Sequence, residues 1–205
     1  NIEQAISTPR LSRYMHLSGG DLEKALALHN WNTALGASMH LPLQLFELLF
    51  RNSLDRSLSK KHGAAWYDAK FADFDVKSQN QINAAKDQLV NQGRALNPPC
   101  VIAQFTFGFW LTMLTKKSET KFWVSCLHTS FLYAPKPVLR RTIYSEVDII
   151  RSLRNRIAHH EPIYMRNLES EFDHIVNVAS WLCGDTSAFI GSFKGELTNT
   201  LARRP

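Results

Sequence analysis

Apolar residues along this chain recur at three- and four-residue intervals almost from end to end, and no stretch alternates at period two, which predicts an all-α fold. In residues 21–36, Leu22, Ala25, Leu26, Leu28, Trp31 and Leu35 mark one helix face, and Asp21 is suited to cap the first turn. Pro42 is expected to open a second helix with an apolar stripe of Leu41, Leu45, Leu48, Leu49, Leu54 and Leu58, ending before Gly63. Its other side carries Glu47, Arg51, Asn52 and Arg56. Residues 78–92 form a more polar helix, residues 101–114 a buried aromatic one, and residues 119–131 an amphipathic one. Pro135-Lys136-Pro137 should start a helix whose inward side is Val138, Val147, Ile150, Leu153 and Ile157, limited by Pro162. Asn167 should cap a last long helix, and residues 185–201 add a shorter one.

With 205 residues and 44% hydrophobic composition, the chain can close one core, so the expectation is a single unit over residues 1–205. Asn97-Pro98-Pro99 is the clearest breaker, and offers a subdivision into N-terminal helices (1–97) and C-terminal helices (98–205). The net charge of +6 favours polyanionic partners. Cys100, Cys126 and Cys183 are far apart and lack CxxC or Cys/His zinc spacing, which fits reduced thiols of a cytosolic protein. No apolar run approaches the roughly 18 residues that cross a bilayer. Asn1-Ile2-Glu3-Gln4 has neither the charge nor the apolar stretch of a signal peptide. A cytoplasmic protein without a membrane partner, trimmed at its start, is therefore expected.

Polar chemistry crowds one helix end, Ser152-Leu153-Arg154-Asn155-Arg156-Ile157-Ala158-His159-His160-Glu161-Pro162. Asn155 and His159 are four apart and share a face, while Arg154 lies about 140° round from His159, at the flank of that face. Pro162 disfavours helical geometry at Glu161, so His159 and His160 should fall in the last turn, where the carbonyl end of the helix dipole favours imidazolium. A histidine there can pass a proton, and Arg154 can hold a phosphate whose negative charge grows in the transition state. Metal-independent RNA cleavage, in which the ribose 2′-hydroxyl attacks the adjoining phosphorus, needs those two services. One Arg and one His make half of an acid–base pair, so a homodimer joining two such helix ends would complete the site.

Other readings of the same residues stay open. The run also fits a solvated helix end whose basic side chains match the dipole. Arg156 and His160, again four apart, give a second register. His160-Glu161 hints at a metal, but HHE lacks the HExxH spacing, so neither a metal nor a cofactor is expected. The run from Phe105 to Trp110 reads as core or dimer interface, with Gly108 allowing close helix approach, and Trp31, Trp66, Trp123 and Trp181 read as core anchors. Arg140 and Arg141, on the predicted helix of the motif, lead the residues expected to hold RNA, ahead of Lys60, Lys61, Lys116, Lys117 and Lys136.

The run Arg154-Asn155-x-x-x-His159 resembles the RNxxxH signature of the HEPN superfamily. Its longer context from Ile150 to Ile163 is similar to bacterial Abi-like (abortive infection, AbiD/AbiF-type) proteins. Arg10-Leu11-Ser12-Arg13-Tyr14, Trp31-Asn32, Glu47-Leu48-Leu49-Phe50-Arg51-Asn52, Phe105-Thr106-Phe107-Gly108-Phe109-Trp110 and Trp181 resemble the same family. That resemblance implies a HEPN-like helical bundle with additional N-terminal helices, a homodimer, and RNA cleavage or RNA binding in antiviral defence, acting as a toxin that disables the phage-infected cell. It implies Arg154 and His159 as the catalytic pair and Asn155 as the orienting residue. An antitoxin protein or a regulatory RNA is a further implied partner. Glu47, Arg51 and Asn52 either brace such a site or form an ordinary helix surface with Glu47 paired to Arg51. Two other function classes compete with cleavage: a module that grips RNA without cutting it, and a structural adaptor.

Overall fold

One helix much longer than the local pattern predicts carries the molecule. In the structure, a computed structural model that describes residues 5–205, α1 spans Thr8–Leu17 and α2 runs unbroken over Leu22–His62, 41 residues or about 60 Å. Asp21 caps α2 as expected, accepting from Lys24 N at 3.1 Å. The second start at Pro42 does not occur. A proline inside a helix forfeits one hydrogen bond and costs about 3 kcal/mol. Around it, however, Leu35, Met39, Leu43, Phe46, Phe50, Leu54 and Leu58 are all buried, and each such side chain returns about 1.5–3 kcal/mol. The buried stripe is thus displaced from the predicted one, leaving Leu41 and Leu48 exposed.

Ten α-helices and no strand occur among the described residues, so the all-α expectation holds. Beyond α2 come α3 (Trp66–Ala69), α4 (Val76–Asn91), α5 (Pro98–Gln104), α6 (Phe107–Thr112), α7 (Arg140–Ala158), α8 (Leu168–Ser180), α9 (Gly184–Gly191) and α10 (Lys194–Leu201). The aromatic segment expected as one helix is two, because Thr106 leaves helical geometry and its Oγ1 accepts from Phe109 N at 3.2 Å, capping α6. Residues 119–131 likewise form no regular helix. A wide turn at Glu119–Trp123 and a tight one at Leu127–Ser130 replace it, and Ser130 Oγ donates to Ser53 O of α2 at 3.1 Å. The helix expected from Pro135 begins only at Arg140. Asn167 caps α8 through Ser170 N at 3.1 Å, as predicted.

One hydrophobic core draws side chains from both sides of residue 97. The run from Phe105 to Trp110 is part of it, around Trp66, whose ring lies 5.7 Å from Trp110 and 6.1 Å from Phe105. Trp31, Trp123 and Trp181 are buried as well. A smaller cluster of Leu11, Tyr14 and Ala25 fastens α1 to the start of α2. The close helix approach expected at Gly108 occurs instead at Gly36, where an added Cβ would sit 3.6 Å from Ile157 Cγ2 of α7. Among the described residues no helix is long and apolar enough to cross a membrane. The expectation for Asn1-Ile2-Glu3-Gln4 falls outside the described residues.

Candidate active site

Ile143, Val147, Ile150 and Leu153 bury one side of α7, which fixes its rotation and turns the motif residues outward at its C-terminal end. That end closes by a paired cap: Glu161 N donates to Arg156 O at 2.8 Å and His160 N donates to Ile157 O at 3.0 Å. The geometry needs a left-handed residue, and His160 supplies it with φ 55°. The same pair of bonds ends α1 around Gly19 (φ 61°) and α4 around Gly93 (φ 64°). Histidine therefore stands where this chain elsewhere uses glycine.

Asn32 of α2 holds the segment that follows. Its Oδ1, in a buried side chain, accepts from Ile163 N at 2.7 Å and Tyr164 N at 3.2 Å. Arg156 braces the same turn from the other side, donating to Pro162 O at 3.2 Å and pairing with Glu161 at 3.4 Å. The two histidines are thereby presented from a fixed turn and are themselves exposed.

Two hollows meet at this turn. A groove of about 590 Å³ between α2 and α7 is lined by Arg154, His160, Glu47, His40 and Gln44 above an apolar floor that includes Gly36, Leu43 and Ile157. A cleft of about 410 Å³ between α1 and the end of α7 is lined by His159, Arg156, Arg10, Arg13 and Tyr14. His29, His160 and Glu161 border both. Arg154 and His159 of one chain therefore open on different hollows, joined across His160. Asn155 lines neither, and its carbonyl accepts from His159 N at 2.9 Å.

Glu47 does not pair with Arg51. It accepts from Arg154 Nε at 3.1 Å, across 107 positions of sequence, while Arg51 Nε donates to Asn52 Oδ1 at 3.2 Å. Held through Nε, Arg154 keeps its two Nη groups, four N–H donors, for an anion in the groove. Arg140 sits four turns, or about 21 Å, back along α7 from Arg154. It is largely buried, donating to Leu114 O and lying 3.4 Å from Glu119, which removes it from the surface a strand could use. Arg141 is exposed at the same remote end.

Residues that the sequence reading gave no role now border the site: Arg10 and Arg13 over His159, His29 between the hollows with a buried Nδ1 that has no hydrogen-bond partner, and His40 facing the groove. No helix was expected over residues 8–17, and nothing local says that Arg10, Arg13 and Tyr14 share a face turned toward His159. Among the described residues no group of three or more His, Cys, Asp or Glu side chains is arranged to hold a metal ion. Comparisons with protein-family models, with curated proteins and with solved structures find no match to this chain.

Proposed function

We propose that this chain is an endoribonuclease of the HEPN type that cuts RNA without a metal ion, as a cytoplasmic homodimer in bacterial phage defence. The observation that carries the proposal is the arginine of the motif, fixed by a carboxylate with its Nη groups left free, beside a histidine held in a strained cap. In the proposed reaction the 2′-oxygen forms a bond to phosphorus and the bond to the 5′-oxygen breaks. One imidazole takes the 2′-hydroxyl proton and another delivers a proton to the departing 5′-oxygen, leaving a 2′,3′-cyclic phosphate and a 5′-hydroxyl. Arg154 offsets the charge that builds on the non-bridging oxygens.

The separation of Arg154 from His159 within one chain supports completion of the site by a second copy. Exposed apolar side chains on the two helices that carry Glu47 and Arg154, namely Leu41, Leu48 and Ile149, are consistent with such pairing. Subunit mixing tests it. Arg154→Ala and His159→Ala proteins should each be inactive in chelator, and a mixture should regain about one quarter of wild-type activity, because half the dimers then hold one intact site. Recovery of nothing from active-fold dimers would rule out a shared site, and unimpaired cleavage by His159→Ala would rule out the mechanism.

The same separation favours a second function, a non-catalytic RNA-binding regulator in a defence or toxin–antitoxin system, for which no shared site is needed. Wild-type protein that binds RNA with a steep salt dependence yet yields no cyclic-phosphate product would identify it.

A further inference from the structure

We infer that the cleft between α1 and the end of α7 is a phosphate-binding subsite of the RNA strand, with Arg10 and Arg13 as its principal ligands. This rests on the RNA-directed function proposed above and extends the substrate contacts from the Arg154 groove into the cleft that holds His159. Arg10 and Arg13 are three apart on α1, share one face and are both exposed, and that face is turned onto the cleft holding His159 and Arg156. α1 contains Arg10, Arg13 and His16 and no acidic residue at all. Like charges at this spacing weaken a helix, and nothing on α1 relieves them. The one carboxylate among the residues lining the cleft, Glu161, is taken by Arg156 at 3.4 Å. The cleft is therefore a concave, positively charged surface with its own acid neutralised internally.

Its position also fits a strand. The cleft and the Arg154 groove share His29, His160 and Glu161, so a chain of phosphates crossing His160 would have one phosphate at Arg154 and a neighbouring one at Arg10 and Arg13. α1 is held in place for this by Tyr14, whose ring packs 5.4 Å from His29 and 5.5 Å from Tyr164. Guanidinium groups on a short, firmly docked helix meet phosphate at less entropic cost than lysines on free loops do.

The test uses a short fluorescent 2′-O-methyl oligoribonucleotide, which keeps every phosphate but cannot be cut by the 2′-hydroxyl route, so the wild-type protein serves directly. Replacing both side chains (Arg10→Gln with Arg13→Gln) should weaken binding about tenfold and flatten the plot of log affinity against log salt by about 1.4, or 0.7 per lost phosphate contact. A Lys77→Gln, Lys121→Gln protein, with the same loss of charge at exposed positions outside both hollows, should bind nearly as wild type. Thermal melts establish that the variants are folded, and Arg10→Lys with Arg13→Lys should recover most of the salt slope. If the arginine variant binds as tightly as wild type, or no more weakly than the lysine control, the subsite is refuted while cleavage at the motif stands. If wild type binds and the arginine variant does not, but unmodified RNA is never cut, the subsite stands and the nuclease does not. Absence of any binding by wild type overturns both.

Discussion

His160 offers a way to separate what the cap needs from what the chemistry needs. Its φ of 55° imposes on an L-residue a conformation that costs about 1–2 kcal/mol relative to the right-handed regions. Glycine escapes that cost, although its greater freedom in the unfolded chain takes back about 0.5–1 kcal/mol. The side chain is exposed, so truncation removes little packing. His160→Gly should therefore exceed His160→Ala in stability by about 0.5–1 kcal/mol, which at this chain length is a melting-temperature difference on the order of 1–4 °C. Both variants lose the imidazole equally. With thermal unfolding and a fluorescent RNA cleavage assay run side by side, stability should rank Gly above His and Ala, whereas activity should rank His far above both. Gly19→Ala and Gly93→Ala, at the same cap position of α1 and α4, should each lower the melting temperature and calibrate the effect. Equal stability of the Gly and Ala variants would show that residue 160 is not left-handed in solution. Full cleavage by both would show that its imidazole takes no part.

Removing the acceptor with Asn32→Ala strands Ile163 N and Tyr164 N, at about 1–3 kcal/mol each, and hydrogen exchange at those two amides, slow in wild type, should become fast. Glu47→Gln breaks an ion pair whose side chains are 25% and 40% exposed, so stability should change by less than about 1 kcal/mol while kcat falls with little change in KM, as expected if Arg154 acts on transition-state charge. Burial, helped by the neighbouring Tyr164, pushes the Tyr14 hydroxyl from the ordinary 10.0 up to about 12. The unfolded chain then releases this proton first, so the Tyr14 contribution is fully present below pH 10 and is lost as pH rises from about 10 to about 12. Denaturant midpoints of wild type should fall more steeply than those of Tyr14→Phe across that window, and parallel slopes would contradict the burial of the hydroxyl.

Local chemistry was legible where one residue acts on its near neighbours. Asp21 and Asn167 cap the helices they were expected to cap, and Pro98 at the start of α5 sits where a missing N–H costs nothing. The sequence misled where distant packing overrode a local rule. Pro42 was expected to open a second helix, and the burial of Leu35, Met39, Leu43 and Phe46 around it instead carries α2 through. Residues 119–131 have helical spacing, but Ser130 is bonded to Ser53 and Ser57 of α2, and two separate turns stand in place of one helix. The same limit applies at the candidate site. Glu47 and Arg154 were each singled out, yet only the fold shows that they pair, and Arg140 was misjudged because its partners, Leu114 O and Glu119, come from an irregular segment.

The expectation that His159 and His160 occupy one helical turn hid the most consequential feature of the site. On a continuing helix, successive side chains would differ by about 100° around one axis, with His159 beside Asn155 and His160 about 140° round from it. The chain instead leaves α7 at His159 and reverses at His160, so the two rings are distributed to different surroundings: His159 to the cleft of Arg10, Arg13 and Arg156, His160 to the ridge between that cleft and the Arg154 groove. A strand crossing this ridge would meet Arg154 and His160 on the groove side and His159 only in the cleft beyond, so the motif arginine and motif histidine of one chain face different parts of the strand. In-line displacement by a 2′-oxygen requires a proton acceptor and a proton donor on opposite sides of one phosphorus, and in the proposed dimer a second copy would bring its His159 to the phosphate held at Arg154. The left-handed cap is thus the element that turns two adjacent histidines of a sequence motif into two separately positioned groups, and a glycine at position 160 would keep the reversal while leaving one of those positions empty.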